Sequence, residues 1–172
     1  DRISMGMDVR ASVAENLIVG RQRTPALSRW GIHLRRGRVK KYAQELAQAF
    51  DIRAAGVDAP AGDLSGGNMQ KVVLAREFSF GSPVLLVCQP TRGVDIGATE
   101  FIHEHIIQKR NQGCAVLLIS ADLDELFRLS DRLVTVYEGR VTGRFLTQEI
   151  TKEEIGYFMT GSREDAKEAE AR

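Results

Sequence analysis

Cysteine and aromatic residues are scarce in this chain: its 172 residues include two Cys, one Trp, three Tyr and seven Phe. Two cysteines as far apart as Cys88 and Cys114 make neither a disulfide framework nor a Cys-x-x-Cys site, and a reducing cytoplasm is the simplest setting for them. Long apolar runs are missing as well. The longest, 83–88 and 114–119, fall far short of the roughly 20 residues that cross a bilayer, so any membrane role must come through a partner. Net charge is nearly absent, with 24 Lys and Arg against 23 Asp and Glu, which leaves no global electrostatic case for nucleic acid or anionic lipid. The chain opens on Asp1 rather than Met, no signal-peptide pattern of a basic start and an apolar middle follows it, and it reads as a piece of something longer. No internal repeat is visible. An apolar fraction of 43% in a chain of this length does allow one domain with a core of its own.

What is present is a sequence of clear elements. Ser12 with Glu15 three residues on forms a capping-box pattern and predicts a short helix. Residues 20–38, rich in Arg and Gly, read as a loop. Apolar residues at Val39, Tyr42, Ala43, Leu46 and Phe50 recur at helical spacing and predict an amphipathic helix. A linker through Gly56, Pro60 and Gly62 leads to a helix expected from Gly67 or Asn68 to about Phe80, burying Val72, Leu74, Ala75 and Phe78 and stopped by Gly81-Ser82-Pro83. Beyond it, the short apolar runs 84–88, 115–119 and 133–136 predict strands buried on both faces. With helices near 97–112 and 123–129 between them, they imply right-handed crossovers and a parallel sheet. Glu138-Gly139-Arg140 predicts a hairpin turn into 141–146, and 151–159 a final helix before a charged tail.

Two segments carry chemistry. Leu64-Ser65-Gly66-Gly67-Asn68-Met69-Gln70-Lys71 enters a helix through two glycines, leaving backbone N–H groups without intrahelical partners and aimed at any approaching anion. The strand 84–88 runs into Gln89-Pro90-Thr91-Arg92-Gly93-Val94-Asp95. At this spacing the two segments resemble the signature, Walker B and D-loop of ATP-binding-cassette (ABC) ATPases, in the wording of the carbohydrate and nucleoside import subunits that carry two fused nucleotide-binding domains. Within that branch the Asn68-Met69 and Cys88-Gln89 wording is most similar to the second, C-terminal domain. The resemblance covers residues 1 to about 147.

The resemblance implies an α/β, P-loop NTPase fold: a helical subdomain with the signature over 1–82, the second half of a RecA-like, parallel three-layer core over 83–147, a C-terminal helix at 148–161 and a charged tail at 162–172. It also implies that Ser65, Gly66, Gly67, Asn68 and Gln70 act in trans, on ATP held by a partner nucleotide-binding domain, with Asp95 in the D-loop. Asp95 has a plainer role open to it, as the cap of the helix beginning near Gly97. The chain's own site reads as degenerate. Cys88 stands where a Walker B carboxylate would hold Mg²⁺, a hard cation that wants oxygen. Gln89 stands where a carboxylate would polarise water, and an amide is no base near neutral pH. Ala121 stands at the switch-histidine position. No catalytic residue in cis and no metal ligand is therefore expected, and the chain alone should be inactive. The phosphate loop GxxxxGK[ST] and the strand before it are absent from the sequence. In the family they precede residue 1, with that strand lying between the one ending near Ile119 and the one starting near Leu133, so an apolar slot is expected there.

ATP and Mg²⁺ are the cofactors that the resemblance implies for the complete two-domain protein. The partners are a second nucleotide-binding domain, a membrane permease facing the helical subdomain and, indirectly, a solute-binding protein; the location is the cytoplasmic face of the membrane. Other classes stay open. A non-catalytic regulatory module derived from such a domain is one. A soluble ABC-type ATPase acting on nucleic acid is another, but the basic run 35–41 lacks aromatic interleaving and reads as an exposed face of the helical subdomain. His103 and His105 lie two apart, on different faces of a helix, where a zinc pair wants four.

Overall fold

The computed structural model describes residues 6–162, and the charged tail after Ser162 lies outside the described residues. Two compact units emerge: one takes the chain up to Pro83 together with Thr91–Cys114, the other takes Val84–Pro90 together with the chain from Ala115 onward.

The first unit is mainly helical. Helix α1 (Val13–Leu17) starts with the expected capping box: Ser12 Oγ accepts from the Glu15 amide, and the Glu15 carboxylate accepts from the Ser12 amide. Asn16 is buried yet satisfied, accepting from the Asp8 amide and donating to the Asp8 and Ser12 carbonyls. Residues 20–38, expected to be a loop, hold a small antiparallel hairpin, β1 (Ser28–Arg29) with β2 (His33–Leu34), and then the start of α2 (Arg36–Ala49). The helix begins three residues earlier than its apolar pattern predicts, because its first turn is polar and carries no apolar signal. Helix α3 (Gly66–Ser79) buries Val72, Leu74, Ala75 and Phe78, as its pattern predicts, and α4 (Ile96–Asn111) buries Ile102 and Ile106. Val13, Leu17, Ala43, Val72 and Ala75 are among the buried side chains where α1, α2 and α3 pack. The Arg21 guanidinium donates to the Ser79 carbonyl near the end of α3 and lies over the Tyr42 and Phe80 rings.

The second unit holds two separate two-stranded sheets. Strands β3 (Val84–Cys88) and β4 (Ala115–Ile119) are parallel, with Val84 opposite Ala115 and Cys88 opposite Ile119. Strands β5 (Arg132–Tyr137) and β6 (Arg140–Leu146) form an antiparallel hairpin around Glu138 and Gly139, both at positive φ as a tight hairpin turn requires. Helix α5 (Leu123–Leu129) precedes β5, and α6 (Lys152–Met159) packs on the hairpin. Among the described residues β4 pairs only with β3, and β5 only with β6. The expectation of strands buried on both faces is corrected: Val84, Leu86, Leu117, Ile119, Val134 and Val136 are all exposed, whereas Val87 and Leu133 are buried. Each strand alternates because its sheet is covered on one face only.

Candidate functional site

Ser65 is the N-cap of α3, its Oγ accepting from the Asn68 amide at 3.4 Å and from Asn68 Nδ2 at 2.9 Å. Ser65 and Gly66 are exposed, and Gly67 and Asn68 are half-buried. A Cβ built on Gly66 would meet nothing within 4 Å, so the backbone here is open to close approach by a ligand. The first amides of α3, at the positive end of the helix dipole, face this opening.

Asp95 is the N-cap of α4, as expected, its Oδ1 accepting from the Ala98 amide at 2.8 Å. Its other oxygen lies 3.5 Å from where a Gly67 side chain would begin. The structure thus brings the glycine pair of one motif and the Asp of the other together. Gln70, grouped with them in the sequence, is 9% exposed and turns inward. Asn68 is engaged on both ends of its amide, its Oδ1 accepting from the Arg53 backbone at 2.8 Å.

Asp51 and Arg53, which no motif marks, hold the start of α3 together with Lys71, the last residue of the segment that begins at Leu64. Lys71 Nζ donates to the Asp51 carbonyl at 2.9 Å and to its carboxylate at 2.8 Å, and lies over the Phe101 ring. The hydrogen bond and charge of Lys71 hold the Asp51 carboxyl below its ordinary pKa. Asp51 has a positive φ of 44°, a conformation that Asp tolerates better than most residues. No motif marks such a pairing, since residues 20 apart meet only through folding. His103 is buried, and His105 stacks on Phe50 and Phe101 while its Nδ1 meets the Phe101 carbonyl oxygen, so both histidines are built into the packing of α4.

The second constellation lies in the other unit. Cys88 is exposed at the end of β3. Gln89 follows with φ at 50°, its amide donating to the Ile119 carbonyl at 2.8 Å, so the strand end is held in a left-handed turn that most side chains avoid. Ala121 is exposed beyond β4. A thiol, an amide and a methyl offer no carboxylate oxygen for a hard cation and no base near neutral pH; the donor set does not fit Mg²⁺.

Comparison with known proteins places the chain in a family. No protein-family model matches the chain. It is 41% identical over 161 residues to the nucleoside import ATP-binding protein NupA of Lactococcus lactis subsp. cremoris, covering 94% of this chain and 32% of that protein. It is 48% identical over 133 residues to the glucose import ATP-binding protein TsgD13 of Haloferax volcanii, covering 76% of this chain and 24% of that protein. The chain belongs to the ATP-binding-cassette proteins. Two solved cassettes share the fold of this ABC chain. A dimeric bacterial ABC cassette, MJ0796, matches with a TM-score of 0.66 at 21% identity, over 84% of this chain and 60% of that one. A nucleotide-free cassette matches with a TM-score of 0.64 at 24% identity, over 94% of this chain and 62% of that one. The ABC chain therefore spans about a third or less of the curated relatives quoted.

Proposed function

We propose that this chain is the C-terminal part of the ATP-binding subunit of an ABC importer for nucleosides or simple sugars, and that it completes a partner domain's ATP site while its own site stays idle. The observation that carries the reading is the open, Ser65-capped start of α3, with Gly66 free to be approached closely and Asp95 beside Gly67. Bound ATP supplies the phosphoryl group for transfer to water. Ser65 and the first amides of α3 provide preorganised donors where charge develops on such a group. Asn68, Lys71 and Asp51 keep that helix end in place. Asp95 joins the starts of α3 and α4. At the strand end of the chain's own site, Cys88, Gln89 and Ala121 offer neither a carboxylate to polarise water nor the oxygen donors that suit Mg²⁺.

The complete subunit works, in this reading, with a second nucleotide-binding domain and a membrane permease at the cytoplasmic face of the membrane. Relatives named as nucleoside, guanosine and ribose import ATP-binding proteins support the solute class. The test is ATP turnover by the complete subunit carrying Ser65→Asp or Gln89→Ala. Asp retains the N-cap but puts negative charge where phosphate would sit, so turnover should fall about a hundredfold or more with melting temperature unchanged. Gln89→Ala should leave turnover within about threefold of the parent, since an amide supplies no proton transfer. The reverse pattern would sink the division between an active and an idle site.

A further inference from the structure

Net charge conceals a strong regional asymmetry. Between Glu15 and Glu45 the chain carries eight Lys and Arg and no Asp or Glu, which leaves sixteen against twenty-three elsewhere. Three of these cations are engaged within the fold: Arg21 with Ser79 and two rings, Lys40 with Asp58 at 2.5 Å, and Lys41 with Glu45 at 3.9 Å. Arg23, Arg29, Arg36 and Arg38 are exposed, and among the described residues none of them meets a carboxylate.

The same stretch exposes apolar side chains that the fold does not use. Trp30 is 76% exposed and Ile32 78% exposed, with Leu34 also exposed beside them. The base of the hairpin is well anchored: Leu27 and Ser28 are buried, and the Arg35 amide donates to the Leu27 carbonyl at 2.8 Å. The tip is held out from that base. Trp30 and Gly31 occupy the turn with φ of 57° and 71°. Two consecutive positive φ values suit Asn-Gly; for a bulky Trp the first position is strained. The Arg29 guanidinium lies over the Trp30 ring, 4.3 Å from its centroid. Helix α2 next to it is frustrated in the same sense. Its N-cap Arg35 makes no side-chain capping bond, and its first turn holds Arg36 and Arg38 where the helix dipole favours carboxylates. Local stability argues against both choices, and an external anionic surface would compensate the charge at the start of α2.

The geometry points to the β1–β2 hairpin and the first turn of α2 as a docking surface for an anionic phospholipid membrane. Indole and aliphatic side chains beside arginines match the boundary between headgroups and acyl chains, which requires no shaped pocket. Each arginine held near an anionic leaflet strengthens the attachment, and salt weakens it. This reading does not depend on the nucleotide chemistry proposed above, and ATP turnover is not its readout.

Trp30 is the only tryptophan in the chain, so its emission reports the event directly. The full chain, mixed with vesicles of phosphatidylcholine and phosphatidylglycerol, should co-sediment and shift Trp30 emission to the blue, should do neither with phosphatidylcholine alone, and should be released by high salt. Two variants separate docking from folding. Trp30→Asn restores the residue the turn prefers, and Arg36→Glu with Arg38→Glu gives α2 the carboxylates its dipole favours. Both should hold or raise the melting temperature while lowering vesicle partitioning at least about tenfold. Unshifted emission on anionic vesicles overturns the proposal, as does vesicle binding that survives both variants. So does a blue shift produced by an acidic polypeptide but not by vesicles.

Discussion

Asp51 shows how a residue outside a motif sets the pose of one through Lys71, the last residue of the segment that begins at Leu64. Lys71 bridges from α3 to the carbonyl and carboxylate of Asp51, fixing the loop that also receives Asn68. Because the Lys71 hydrogen bond lowers the Asp51 pKa, the stabilisation is present above the unfolded aspartate value and is lost as pH falls through the lowered folded value. Asn at position 51 keeps the tolerance for positive φ but cannot carry the charge. Asp51→Asn should therefore melt lower than the parent at neutral pH, and the gap should close on acidification below about pH 4. Melting curves across that range check it; a gap independent of pH would mean the carboxylate contributes nothing. Glu15, lowered by its hydrogen bonds to Ser12, adds acid sensitivity of the same sign in both proteins. Ser65, Gly66, Gly67 and Asp95 could be picked out from sequence because helix entries have short-range rules. The partnership of Asp51 and Lys71 has none.

Among the elements, the β5–β6 hairpin departs most from simple alternation. Its register shifts between Thr135 and Val136, and Thr142 and Gly143 both turn inward as a result. Thr142 Oγ1 donates to Thr135 Oγ1 or to the Phe158 carbonyl, 2.9 Å from each, so the buried hydroxyl is satisfied. Gly143 makes room for aromatic packing: a Cβ there would lie 2.2 Å from Phe145 Cζ and 3.3 Å from Phe158 Cδ1, and those two rings pack at a tilt of 58° with centroids 4.7 Å apart. Gly143→Ala should destabilise the protein by about 1–3 kcal/mol through overpacking. Denaturant unfolding measures this, and an unchanged midpoint would show that the rings move aside freely. The hairpin turn at Glu138-Gly139 was readable from sequence; the bulge was not, because it answers to the packing of α6. The Trp30-Gly31 turn was missed for a related reason, since a bulky residue at positive φ opposes the usual turn signal.

At the scale of the whole chain, the exposed apolar faces of the two sheets dominate behaviour in solution. Val84, Leu86, Leu117 and Ile119 line one face of β3 and β4, and Val134 and Val136 are exposed on β5. Contiguous apolar surface of this kind invites association. The isolated chain should bind the dye ANS and self-associate as its concentration rises. Leu86→Thr with Leu117→Thr should reduce both while changing stability by less than about 0.5 kcal/mol, because neither side chain is buried in this fold. If the double variant unfolds instead, that face is packed in solution.

By itself the sequence determined the order of the longer helices and strands, the helix entry at Ser65, the cap at Asp95 and the poverty of the Cys88-Gln89 strand end. Each depends on chemistry within a few residues: capping, periodicity, and the donor set of one side chain. Only the tertiary structure decided that Gln70 turns inward and that Lys71 and Asp51 brace the start of α3. It alone also decided that β4 pairs on one side only, and that a Trp stands strained and exposed among arginines. Those outcomes depend on which distant segments meet and which surfaces stay uncovered, and local pattern carries no term for either.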